Sequence, residues 1–286
     1  MTEPTADLPY PIVDVHTHLM PERLFQAVRA HFRAHLWQPR YDAPTEELVK
    51  TLLEAGVSRF VFMPYAHRGE MARSLNHWVA NVEKTFAPRG IGFGTFHPDD
   101  DELMPDLVEE AFGRLGLRGA KLHPQVGRFG VDDPRLDPLY SRAEERGVLL
   151  LIHAGRRPEP SEHVGARAFG RMMRRYPRLK VIVAHAGADE FDAFFDLCGV
   201  YEDVFLDTAM IFNGSKYLGG PPPIQRVLEF QDRVVFGSDF PNIPYRWETA
   251  VQAILDLRLG RALEEKLLCT NAARMLRLDP LAMATD

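Results

Sequence analysis

His16 and His18 are separated by one residue and follow the apolar run Pro11-Ile12-Val13-Asp14-Val15. On a strand, residues two apart project to the same side, so both imidazoles would leave one face at the end of this run. Two neutral imidazoles held that way can share a metal ion. Other groups with useful chemistry also close short apolar runs: His153 in Leu151-Ile152-His153-Ala154-Gly155, His185 in Val183-Ala184-His185-Ala186-Gly187, and Asp239 in Phe236-Gly237-Ser238-Asp239. A borderline divalent ion such as zinc takes imidazole nitrogen and carboxylate oxygen, and a site of three histidines and one aspartate keeps a position open for water. The ion lowers the pKa of that water towards neutrality, and a neutral histidine or an aspartate within reach can take or return the proton.

Such residues need a scaffold that brings distant parts of the chain together. Short apolar runs at residues 12–15, 59–63, 91–96, 119–122, 148–152, 179–184, 204–206 and 234–236 alternate with helical patterns at 22–34, 45–54, 70–86, 102–115, 136–146, 166–176, 189–197, 224–230, 247–257 and 262–268. Strands that are apolar throughout belong to buried parallel sheets, and strict alternation predicts right-handed βα units. Eight such units predict an α/β fold, a single (β/α)8 TIM barrel over residues 1–286 with its core at about 11–277. An open doubly wound sheet would want a glycine-rich loop after the first strand, where His-Thr-His stands instead.

In a barrel the site lies at the C-terminal ends of the strands. There stand His16 and His18, His67, His97, His123, His153, His185, Asp207 and Asp239, which accounts for seven of the eleven histidines. A single histidine closing a strand is more often a packing or capping residue than a ligand. That reading weighs most on His67 and His97, which lie beyond their strands, and Asp207 reads equally well as a cap. His31, His35 and His77 fall in helices and read as surface or packing residues. For His16, His18, His153, His185 and Asp239 the joint pattern outweighs the individual alternatives.

Composition narrows the classes. The chain has 286 residues, 45% hydrophobic and 26% charged, with net charge −6 and dispersed arginines, which gives no basis for nucleic-acid binding. Two cysteines without a Cys-x-x-Cys exclude a zinc knuckle or disulfide framework and fit a reduced, cytoplasmic setting. The stretch Met1 to Pro9 lacks the pattern of a signal peptide, and no apolar run approaches the ~18 residues of a membrane span.

These segments, with Gly119-Ala120-Lys121-Leu122-His123-Pro124 and Thr270-Asn271-Ala272-Ala273-Arg274, resemble the amidohydrolase superfamily, specifically the amidohydrolase-2 branch that includes aminocarboxymuconate-semialdehyde decarboxylase-like enzymes. The resemblance runs from about Ile12 to Leu276. It implies a distorted barrel holding one divalent ion, usually zinc, with manganese or another divalent ion as alternatives. His16, His18, His153 and Asp239 would be the ligands, and His185, with Asp239, the catalytic pair. A second metal bridged by a modified lysine is the alternative that Lys121 suggests, but its Lys-Leu-His-Pro context is that of the mononuclear branch. Family habit implies a homodimer.

The first reading of the reaction is metal-dependent hydrolysis of a lactone, amide or related carbonyl of a small organic acid. The alternative is non-oxidative decarboxylation of an aromatic or muconate-like acid, which needs a cation for the carboxylate; Arg68, Arg156, Arg157 and Arg246 fall in predicted rim loops. A barrel without catalysis is the third reading. The small-molecule substrate is expected to meet His67, Lys121, His123 and Arg156, beneath loops at 38–44 and 156–165.

Overall fold

The structure is a computed structural model that describes residues 10–213 and 215–279; the N-terminal stretch read above for targeting signals lies outside them. Strands β1 (Ile12–Thr17), β2 (Val57–Phe62), β3 (Gly90–Thr95), β4 (Gly119–Leu122), β5 (Leu149–Ile152), β6 (Lys180–Val183), β7 (Val204–Asp207) and β8 (Val234–Val235) stand side by side in chain order. Each pairs in parallel with the next. The ring closes between the last strand region and the first. Val15 N–H donates to the Phe236 carbonyl at 2.9 Å, and Asp239 N–H donates to the His16 carbonyl at 2.8 Å. The chain therefore forms the expected (β/α)8 barrel.

Alternation along the strands sorts the apolar residues into two layers. Val13, Val15, Val61, Met63, Phe93 and Leu151 fill the barrel interior. Ile12, Phe60, Phe62, Ala120, Leu122 and Ile152 face the helices outside. The helix Asn271–Leu276 lies beyond the last helix read from the sequence, and it sends Ala272, Ala273 and Leu276 to the interior cluster. The pattern read as one helix at 102–115 is divided, with an α-helix at Met104–Glu109 running into a wider turn at Glu110–Arg114. Among the described residues no helix is long and apolar enough to cross a membrane.

Two local features aim the site. Pairing of β1 with β2 is irregular between Asp14 and Thr17. Strict alternation would put His16 on the outer side with Ile12, yet it meets Lys121 of the interior. An extra residue in a strand switches faces in this way. The second feature is α1 (Glu22–His35), which begins after Pro21 with Glu22 in its first turn and ends with Arg33 and His35 in its last. Those charges complement the helix dipole. The helix buries Phe25, Val28 and Arg29.

Candidate functional site

Among the described residues, His16, His18 and Asp239 form a buried group whose ligand atoms lie within 4.8 Å of one another. The His16 and His18 Nε2 atoms are 3.2 Å apart, and Asp239 Oδ1 is 3.6 Å from the first and 3.1 Å from the second. The other nitrogen of each ring is tied down. His16 Nδ1 meets Asp207 Oδ2 at 2.9 Å, and His18 Nδ1 meets the Met63 carbonyl at 3.1 Å. A carbonyl can only accept, so His18 carries its proton on Nδ1, and the Asp207 carboxylate places the His16 proton likewise. Burial holds both imidazoles below their ordinary pKa, His16 well below. Two nitrogen lone pairs and a carboxylate oxygen thus converge, with the Lys121 ammonium beside one of the nitrogens. That donor set fits a divalent metal, and the outer hydrogen bonds are of the kind that orient metal-binding imidazoles.

Asp239 sits at positive φ (65°), as does His185 (55°). Such backbone is uncommon for non-glycine residues and is held only where the surroundings over-determine it. Asp207 supplies part of that hold at His185. Its Oδ1 accepts from the His185 and Ala209 amides at 2.8 and 3.0 Å, while its Oδ2 serves His16. His185 Nδ1 donates to the Ala209 carbonyl at 2.9 Å. Asp14 performs a similar task on the other side. It accepts from the Ser238 hydroxyl at 2.6 Å, from Trp247 Nε1–H at 2.8 Å, and from the His16 and Ser238 amides, both at 3.1 Å. Burial pushes its carboxyl up to about 7 against these donors. Gly237 permits the close approach, since a Cβ there would stand 2.8 Å from the His16 Cβ.

With the Nε2 atoms of His16 and His18 unprotonated, no proton lies between them and Asp239 Oδ1, and a bound cation would offset the cost of burying that carboxylate. Lys121 is fully buried with Nζ 3.3 Å from His16 Nε2. Desolvation pushes its ammonium down to about 8, opposed by the charges of Asp239 and Asp207.

The group closes the inner end of a cavity of about 420 Å³, which His67, Lys121, His123, His153 and His185 also line. His153 stands apart from the converging group. Its Nε2 donates to the Arg157 carbonyl at 2.8 Å, and its ring stacks on His123 with centroids 4.3 Å apart. Arg156, expected at the substrate, is exposed and outside the lining. Among the other arginines considered, Arg157 pairs with Asp189 and Arg246 with Glu248. His97 is structural, its Nε2 donating to the Gly127 carbonyl at 3.0 Å. Tyr65, Trp37, Met210 and Leu218, none of them a candidate site residue in the sequence, also line the cavity. Apolar residues in loops and helices carry no sequence signal that separates a cavity wall from core.

The sequence profile of a family described as amidohydrolase matches residues 13–278. A 2-amino-3-carboxymuconate-6-semialdehyde decarboxylase of Dictyostelium discoideum is 26% identical over 246 residues, 74% of this chain and 67% of that one. A 5-carboxyvanillate decarboxylase of Novosphingobium aromaticivorans, solved with manganese and 4-hydroxy-3-methoxy-5-nitrobenzoic acid, superposes with TM-score 0.69 at 16% identity over 97% of this chain and all of that one. A 2,6-dihydroxybenzoate decarboxylase from Rhizobium gives TM-score 0.67 at 19% identity, covering 94% and 99% of the two chains. At these identities the likeness of the solved structures is one of fold.

Proposed function

The chain belongs to the amidohydrolase family, and from that membership we propose that it is a metal-dependent, non-oxidative decarboxylase of a small organic acid. The observation that carries this reading is Lys121, a fully buried ammonium beside the ligand group at the inner end of a cavity with largely apolar walls. A carboxylate needs such a counter-charge to enter, and its loss as neutral carbon dioxide is favoured where water does not solvate the anion. The decarboxylase activity of the Dictyostelium relative supports the same choice over hydrolysis.

His16, His18 and Asp239 would hold the ion, and His153 would join them through Nδ1, the nitrogen that the Arg157 carbonyl leaves free. When bound, a divalent ion supplies Lewis-acid polarisation of a substrate oxygen. Lys121 pairs with the substrate carboxylate. His185, its Nδ1–H fixed on the Ala209 carbonyl, first takes a proton from solvent at Nε2 and then passes it to the carbon that bears the carboxylate. The carbon–carbon bond then breaks, its electron pair returns to the unsaturated framework, and carbon dioxide leaves. Asp239, facing the two imidazole lone pairs, serves as a ligand and not as the proton donor.

The test is incubation of the metal-loaded protein in D2O with aromatic and muconate-type acids and, separately, with lactones and amides. Carbon dioxide should appear in step with loss of the acid, with one deuterium at the vacated carbon. Opening of a lactone or amide without carbon dioxide would instead establish the hydrolase reading.

A further inference from the structure

The cavity that holds Lys121 is also lined by α1 through Leu24, Ala27, Val28, Phe32 and His31, the last read from the sequence as a surface or packing residue, and by Leu36 and Trp37 after it. Leu218 lines it as well. Leu24, Phe32 and Leu36 are only half-buried, so this wall is apolar surface left open to whatever fills the cavity. Lysine and arginine enter the lining only as Lys121 at the inner end and Arg128, which is exposed, near the mouth, where Glu159 brings the opposite charge. Arg29 is on the same helix but outside the lining, its guanidinium 4.4 Å over the Phe25 ring.

We propose that the substrate is a monocarboxylic acid bearing an uncharged apolar arm that lies on this wall, and not a diacid of muconate type. The proposal rests on the decarboxylase reading for the place of its carboxylate. A second carboxylate on the wall would be buried beside Leu24, Val28, Phe32 and Leu218, where the lining offers the His31 imidazole but no lysine or arginine, and the Arg29 guanidinium is turned onto Phe25 behind it. An alkyl or aryl arm there gains instead from leaving water, about fourfold in affinity for each methylene buried.

The experiment measures binding by calorimetry on the metal-loaded protein, so that it is independent of turnover. The ligands are benzoate, 4-propylbenzoate and cis,cis-muconate. 4-Propylbenzoate should bind at least tenfold tighter than benzoate, and muconate more weakly than 4-propylbenzoate. Phe32→Ala and Leu218→Ala should each erase most of the gain from the propyl group, and Phe32→Leu should keep most of it. Tighter binding of muconate would overturn the proposal, and its loss in Arg29→Met would assign that binding to Arg29. A propyl gain that survives both alanine variants would also overturn it. Intact alkyl preference with no carbon dioxide from any acid would sink the decarboxylase reading and leave the arm assignment standing.

Discussion

At the scale of single residues, the site is a set of lone pairs held in place by buried groups that lie outside the cavity lining. Asp207 illustrates this: one oxygen orients His16 and the other fixes the backbone of His185. Asp207→Asn should weaken metal affinity about 10–100-fold, the usual cost of removing such an outer partner, as read by competition with a chelator. Asp239→Asn and His16→Ala should lose bound metal and all measurable turnover while keeping wild-type far-UV circular dichroism. Retention of wild-type metal content and rate by either variant would refute the ligand assignment. Trp247→Phe removes one donor from the buried Asp14 carboxylate and should cost about 1–3 kcal/mol of stability in denaturant melts. His16, His18 and Asp239 were legible in the sequence because residue type and strand-end position coincide. Asp207 was half legible, since an aspartate closing a strand is also an ordinary cap. Asp14 and Trp247 gave no separable signal, because their partnership spans 233 positions of chain.

At the scale of elements, the sequence pattern found every strand and the longer helices, because continuous apolar runs and helical patterns each follow from a simple geometry; it missed the short helices Pro124–Gly127, Ser215–Leu218 and Asn271–Leu276. It did not find the irregularity in β1, which depends on how β2 pairs with it. Without that irregularity the two histidines would share a face, but the outer one. The segment after β8 is equally specific. Gly237→Ala would place a methyl 2.8 Å from the His16 Cβ. The variant should lose about 1–3 kcal/mol of stability, as overpacking does, and bind metal less tightly. Thermal melting and metal titration together would show both effects. The sequence marks α1 only as a helical pattern: its half-buried Leu24 and Phe32 look the same in sequence whether they face core or cavity.

At the scale of the whole molecule, the barrel has two extensive apolar layers that owe nothing to a metal. Chelation should therefore leave the protein folded, lowering its melting temperature but not its helical signal. The loss corresponds to about 2.7 kcal/mol when the ion had been present at 100 times its dissociation constant. Faster amide hydrogen exchange should be confined to Val15, His18 and Asp239 and their neighbours; uniform acceleration across the barrel would contradict this picture.

The junction of β1 with the last strand region has one more consequence. The Asp239 amide donates to the carbonyl of His16, so two of the three residues of the candidate metal group also stitch the first strand to the end of the barrel. A ribosome makes His16 and His18 early and Asp239 only after more than four-fifths of the chain. A nascent or truncated chain ending before residue 234 carries both histidines without their third partner. If these three residues hold the ion, tight metal binding should be absent from a chain truncated before residue 234 and present in the full chain, as metal titration of the two would show.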